Sequence, residues 1–244
     1  MLSPGKRFAP ALGFTLVALV LAALFVRLGA WQWQRREERA AAATRFARGA
    51  AAVLELGTRD PWETPLYQRI GVAGELDATH QFLLDNRTFE GRAGYEVLTP
   101  LLRASAPALL VDRGWVPFTG SRARLPDVTV TAGGPLRLTG RVAVLPSPGL
   151  ASGRAAPAGT GPWPKVTSYP DMAQLAAALG RPLSSRILLL DPAAPHGYVR
   201  AWPPPGLPPL RHFSYALQWW SFALATLVVW AVLSRRPQLP PAPS

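Results

Sequence analysis

Two uninterrupted apolar stretches constrain this chain more than anything else in it. Residues 8–26 are 19 residues without a charge, between Lys6-Arg7 and Arg27. Residues 213–233 are 21 without a charge, between Arg211-His212 and Arg235-Arg236. At about 1.5 Å rise per residue they predict helices of roughly 28 and 31 Å, the thickness of a bilayer core. Tyr215, Trp219 and Trp220 sit near one end of the second stretch, as interfacial aromatics do. A cleaved signal peptide is the competing reading of the first stretch. Its length, Arg27 directly after it and the lack of a small-x-small cleavage site favour a retained anchor. The short leading tail speaks against a mitochondrial transit peptide and for a bacterial membrane protein. The chain therefore divides into a transmembrane helix (8–27), an extramembrane domain (28–211), a second transmembrane helix (212–234) and a tail (235–244).

Composition narrows the chemistry. Charged residues make up 16% of the 244 positions, and cysteine is absent, which excludes disulfides, thiolate metal sites and cysteine nucleophiles. The net charge of +12 is carried by 24 Arg and 2 Lys beside 27 Pro, a compositional bias that points to no nucleic-acid partner. All 14 acidic residues lie between the two apolar stretches, where 22 basic residues leave a net +8. Basic residues flank both helices on both sides, so charge counting leaves the orientation open.

The intervening region reads as a folded, mainly β (α+β) domain, a small barrel or sandwich. Residues 35–48 extend the first helix beyond the membrane. Short apolar or alternating runs at 66–76, 80–85, 95–102, 108–115 and 136–145 are punctuated by Gly, Pro and Asn and predict strands. Residues 186–190 and 198–202 look similar. Residues 171–179, closed by Gly180, predict a capped helix. Residues 146–164 predict a surface loop, and the prolines of 203–209 a stiff spacer.

Catalytic patterns are poor. There is no nucleophile elbow, phosphate-binding loop or zincin helix. His80, Asp85 and Asp112 with Ser105 or Ser121 form a triad only on paper, so the sequence predicts no enzyme. With only three histidines and no close pair, an ordinary protein-ligated metal site is not expected.

Four patterns carry more information: Leu28-Gly29-Ala30-Trp31-Gln32 with Arg35; Asp85-Asn86-Arg87 with Gly91 and Gly94-Tyr95-Glu96-Val97-Leu98-Thr99-Pro100; Val111-Asp112-Arg113-Gly114-Trp115-Val116-Pro117; and Arg211-His212-Phe213-Ser214-Tyr215-Ala216-Leu217-Gln218-Trp219. In this order, between two terminal membrane helices, the chain resembles the surfeit locus protein 1 family, assembly factors for cytochrome c oxidase, over most of residues 12–235. The resemblance implies a multi-pass protein of the bacterial inner membrane, with a periplasmic domain and cytoplasmic termini. It implies a role in forming the haem a centre of oxidase subunit I, with subunit I and haem a synthase as partners besides the bilayer. It also implies transient haem a binding, with His212 as the iron ligand and Trp219 and Tyr215 beside it. Asn86, Arg87, Arg113, Gly114, Trp115 and Gln218 match its partner or structural motifs. Asp112 stands where the family commonly has Asn.

Plain readings stand beside these. Asn86-Arg87 with Gly91 and Gly94 reads as a turn. Gly114 leaves room for close backbone approach, and Arg113 offers a fork to a carboxylate at a strand end. Ser214, Gln218, Ser221 and Ala225 share one helix face, as do Ala11, Thr15, Ala18 and Ala22, with Gly29 extending the latter. Small and hydroxyl residues predict that these two faces pack together. His212, Tyr215, Trp219, Thr226 and Trp230 then point the other way, to lipid, haem or a partner helix. Three function classes follow: a factor that holds haem a, a cofactor-free scaffold for an oxidase intermediate, and an unrelated membrane-anchored binding domain.

Overall fold

The structure, a computed structural model, describes residues 6–49, 52–131, 133–146, 155–204 and 208–237. In chain order these form β1 (Lys6–Phe8), α1 (Leu12–Arg48), β2 (Val53–Glu55), β3 (Arg69–Leu76), β4 (Phe82–Phe89), β5 (Arg92–Leu102), β6 (Ala108–Pro117), β7 (Leu136–Ala143), β8 (Lys165–Thr167), α2 (Met172–Leu179), β9 (Leu183–Leu190), α3 (Pro209–Leu233) and β10 (Arg235–Pro237). They fall into two compact units, residues 1–43 with 205–244, and residues 44–204.

The first unit is a helix pair whose apolar side chains mostly face outward. Leu12 is 76% exposed, Val20 67%, Leu224 64% and Leu233 65%. Water does not tolerate an apolar surface of this extent, so both helices are membrane-spanning rather than the core of a soluble fold. α1 does run on past the charge-free stretch, as the alanine-rich 35–48 segment predicts. β1 and β10 pair antiparallel, with Arg7 opposite Arg236, and Phe8 meets Trp230 edge-on at 5.4 Å.

α1 contributes its predicted small face: Ala18, Ala22 and Gly29 are its buried residues. α3 does not. Ser214, Gln218, Ser221 and Ala225 are exposed, whereas Ala216 and Ala223 are buried and His212, Trp219, Thr226 and Trp230 are half-buried. The reason is local. Ser214 and Ser221 donate their hydroxyls to the carbonyls of Leu210 and Leu217 on their own helix, at 3.1 and 2.8 Å, and need nothing across the interface. Large rings fill the furrow instead. The Trp220 indole lies where a side chain on Gly29 would be, and Trp230 Nε1 donates to Thr15 Oγ1 at 3.1 Å.

The second unit is the β domain. Its strands run β2-β3-β7-β9-β6-β5-β4-β8, and β5 closes back onto β3 through Glu75–Leu102 and Leu76–Leu101. β3, β7, β9, β6 and β5 thus form a five-stranded barrel, antiparallel except for β6–β9. β4 continues β3 along β5, so the order is that of an OB-type barrel. Ile70, Val72, Leu101, Leu109, Val111, Leu138, Val142, Leu188 and Leu190 fill the interior. Leu175 of α2 packs with Phe82, Leu84, Leu98, Leu110 and Ile187. α2 is capped as predicted: Asp171 Oδ1 accepts from the Gln174 amide at 2.8 Å, and Gly180 closes it at φ 72°. β6 is buried on both faces up to Val116, which its continuous apolar run requires.

The five main predicted strand runs are β3 to β7, and residues 186–190 lie in β9. Residues 198–202 are not a strand. Val199 only bridges Trp115, because the bulkier neighbours of this segment serve other contacts: Arg200 turns back to the carbonyls of Asp191 and Ala194. Of the predicted loop at 146–164 and the spacer at 203–209, residues 147–154 and 205–207 lie outside the described residues, as do 238–244 of the tail. Pro208 and Pro209 open α3.

Candidate functional site

Two constellations draw on the motif residues, one in each unit. In the helix pair, Pro209 starts α3 and places His212 in its first turn. Gln32 stands about one turn beyond Gly29 on α1. His212 Nδ1 and Gln32 Oε1 are 2.8 Å apart. An amide oxygen only accepts, so Nδ1 donates, and in the neutral ring Nε2 then holds the lone pair. Nε2 is buried and has no partner among the described residues. Leaving such an acceptor unmet costs about 1–3 kcal/mol. Rings crowd this end of the pair: Trp33 lies 6.0 Å from Phe213 and 5.9 Å from Trp220, and Arg36 sits 4.6 Å over Trp33. Trp219 stacks on Phe25 at 5.8 Å. His212 and Trp219 therefore share the inner side of α3, while Tyr215 is exposed and not gathered with them. Gln218 is exposed as well.

An imidazole that donates one nitrogen to a fixed oxygen and holds the other bare is the donor set of a metal-ligating histidine. Among the residues at this end, His212 is the one whose ring nitrogen could ligate a haem iron, and its Nε2 is covered.

The second constellation lies in the β domain. Glu90 and Gly91, both at positive φ (48° and 75°), make the tight turn between β4 and β5. Asn86, expected in that turn, instead sits in β4 at φ 60°, at the register shift between Leu84 and Arg87. The bulge reorients the strand, and Arg87 Nε lies 3.0 Å from Glu96 Oε2 across the β4–β5 ladder. The same guanidinium covers the Tyr169 ring at 5.4 Å. Gly94 is no turn residue either. A Cβ there would strike Val116 O and the Trp115 ring, so Gly94 is the bed on which Trp115 lies. Behind Glu96, Asp112 is fully buried and accepts from the Gly114 amide at 3.0 Å. Burial, with Glu96 nearby, pushes the Asp112 carboxyl well above the usual carboxylate range. Burial raises Glu96 too, against the pull of Arg87.

Arg113 corrects the sequence expectation. It is buried rather than presented at a strand end: Nε donates to His196 O at 2.6 Å and Nη1 to Val128 O at 3.1 Å, with the Tyr198 ring 4.8 Å away. Its fork ties two loops to the barrel, and burial lowers its pKa. Gly114, at φ 108°, is packed against Val199 O and Arg200, the close approach its identity predicts. The paper triad does not assemble. His80 Nδ1 pairs with Asp77 at 2.8 Å, Asp85 pairs with Arg122, and Asp112 lies beside Glu96.

Sequence reading missed Gln32 and Glu96 as working groups. Both lie inside the motifs, and Glu96 carried a signal: an acid between Tyr95 and Val97 in a strand whose neighbours are buried.

An uncharacterized SURF1-like protein of Mycobacterium bovis and two of Mycobacterium tuberculosis are each 31% identical to the chain over 163 residues, covering 65% of it and 56% of the relative. The chain thus spans little more than half the length of these relatives. Residues 19–224, which include the barrel, His212 and the Arg87–Glu96 pair, match the family that the four motifs resemble, and the chain belongs to the SURF1 family.

Proposed function

We propose that this protein is a membrane-anchored assembly factor for cytochrome c oxidase that holds haem a while the haem a centre of subunit I is formed. Family membership supports the oxidase role. The observation that carries the haem reading is His212, with Nδ1 bound to Gln32 and Nε2 buried and unpartnered. Bound haem would supply an iron with an open coordination position. The chain's own part is to keep the imidazole in the Nε2-bare tautomer and to surround it with rings. His212, Trp219 and Gln32 do this, while Tyr215 stands outside the pair. In this reading the β domain is periplasmic, the termini are cytoplasmic, and subunit I and haem a synthase are the partners.

The test is spectroscopic. Protein purified in detergent from cells that make haem a should carry a Soret band, and His212→Gln should lose it at unchanged protein yield. A second reading, a scaffold without cofactor, is favoured by the covering of Nε2, which must open before anything binds there. It predicts no Soret band but the same oxidase defect on deletion. The absence of cysteine makes orientation easy to check. A lone thiol at exposed Ala123 (Ala123→Cys) should react with an impermeant maleimide added to intact spheroplasts.

A further inference from the structure

The β domain holds a cavity of about 540 Å³ at the β4–β5 turn, lined among others by Phe89, Glu90, Glu96, Trp115 and Trp202. That is ordinary ligand-pocket size, roughly 300–1,000 Å³. Its wall chemistry is unusual for this chain. The protein carries +12 overall, yet both charged residues that line the cavity are carboxylates. The other lining groups include three aromatic rings.

The surrounding charges are unevenly paired. Arg87 on β4 pairs with Glu96, and Arg92 on β5 lies over the Trp115 ring at 5.6 Å. Glu90, the other acid of the lining, forms no ion pair among the described residues and is the spare carboxylate. Rings and a few carboxylate oxygens make a poor shell for a hard metal ion, which wants six or more oxygens. They make a good one for a flat organic cation, which stacks on a ring face and docks its charge on a carboxylate. Arg92 shows that the Trp115 indole already accepts a guanidinium.

We propose that this cavity receives an arginine side chain projecting from a protein partner, its guanidinium against the Trp202 ring and its charge on Glu96 and Glu90. This does not rest on haem binding, since cavity and helix pair belong to different units. A pH signature follows. The Glu96 carboxyl sits above its usual range, chiefly through burial, so it holds a proton at lower pH. An incoming cation replaces that proton, and its affinity rises with pH until Glu96 is ionised.

The experiment uses the full chain in detergent micelles and blocked arginine (N-acetyl-arginine amide) as probe, followed through the indole N–H signals of Trp115 and Trp202. Blocked citrulline, the neutral isostere, is the control. We expect saturable shifts with arginine, at least tenfold weaker binding of citrulline, weaker binding of lysine, and arginine binding that tightens as pH rises from 4 to 8. Glu90→Gln, at an exposed turn position where folding is not at stake, should weaken arginine several-fold, and Glu96→Gln more. No saturable shift, equal affinity for citrulline, or unchanged affinity in Glu90→Gln and Glu96→Gln together would each overturn the proposal.

Discussion

Arg113 in the β domain and His212 in the helix pair are both polar groups taken out of water, and they are treated differently. Arg113 meets the carbonyls of His196 and Val128 and the Tyr198 ring, so its burial works as a strut between loops. Arg103 has two guanidinium nitrogens without a hydrogen-bond partner, but its Nη2 donates to Gly57 O and Arg59 O. His212 has one nitrogen satisfied and its only acceptor unmet. The contrast separates polar groups kept for architecture from one left open. It also separates two kinds of cohesion. The barrel is held by apolar burial, whereas helices in lipid gain nothing from burying Leu against Leu and depend on close shape fit and a few polar pairs.

The largest break in this comparison should come from Gly114→Glu. Its φ of 108° strains any side chain, and Val199 O and Arg200 occupy the space. Strain of about 1–3 kcal/mol and overpacking of similar size act together, so folded protein should fall to a small fraction of wild type on immunoblot. Arg113→Lys comes next. The sequence alone predicts intact folding and weakened recognition. The structure predicts a stability loss of about 1–3 kcal/mol, since one ammonium cannot serve both carbonyls. Thermal unfolding decides between them, and an unshifted Tm would restore the recognition role.

Gly29→Leu should strike the helix pair alone. It evicts the Trp220 indole and should cost about 1–3 kcal/mol of helix association, read as early loss of helix-pair structure with the barrel's Tm unchanged. If both units melt together, they are more tightly coupled than two separate bodies. Asp112→Asn is the mildest change and has the opposite sign. The folded Asp112 pKa lies above its unfolded value. Its contribution is thus fully present below the unfolded value and is lost as pH rises through the folded one. Asn keeps an acceptor for the Gly114 amide without the charge. The variant should gain about 1 kcal/mol or more at pH 8 and little at pH 4, in unfolding curves across that range. A pH-independent difference would mean that Asp112 stays ionised beside Arg87.

Both membrane spans, the strands β3 to β7, the α2 caps and the family were legible in the sequence, because each is written in local length, alternation, end residues or motif order. Asp171 and Gly180 bound α2 whatever surrounds it. The short edge strands β2 and β8, and the pair β1–β10, were not legible. Three residues carry too little periodicity, and β2 and β8 exist because β3 and β4 offer them an edge.

The same division runs through the candidate sites. The sequence by itself determined that His212 opens a membrane helix and that Pro117 ends a buried run. Only the tertiary structure decided which face of α3 meets α1, that Arg113 is a strut, and that Asp112, Glu96 and Arg87 form one buried charge cluster. Small and hydroxyl residues permit close helix packing but do not compel it. Ser214 and Ser221 satisfied themselves on their own helix, and the furrow at Gly29 was deep enough for an indole. Shape complementarity and the pairing of buried charges belong to two surfaces at once, and one stretch of chain describes only one of them.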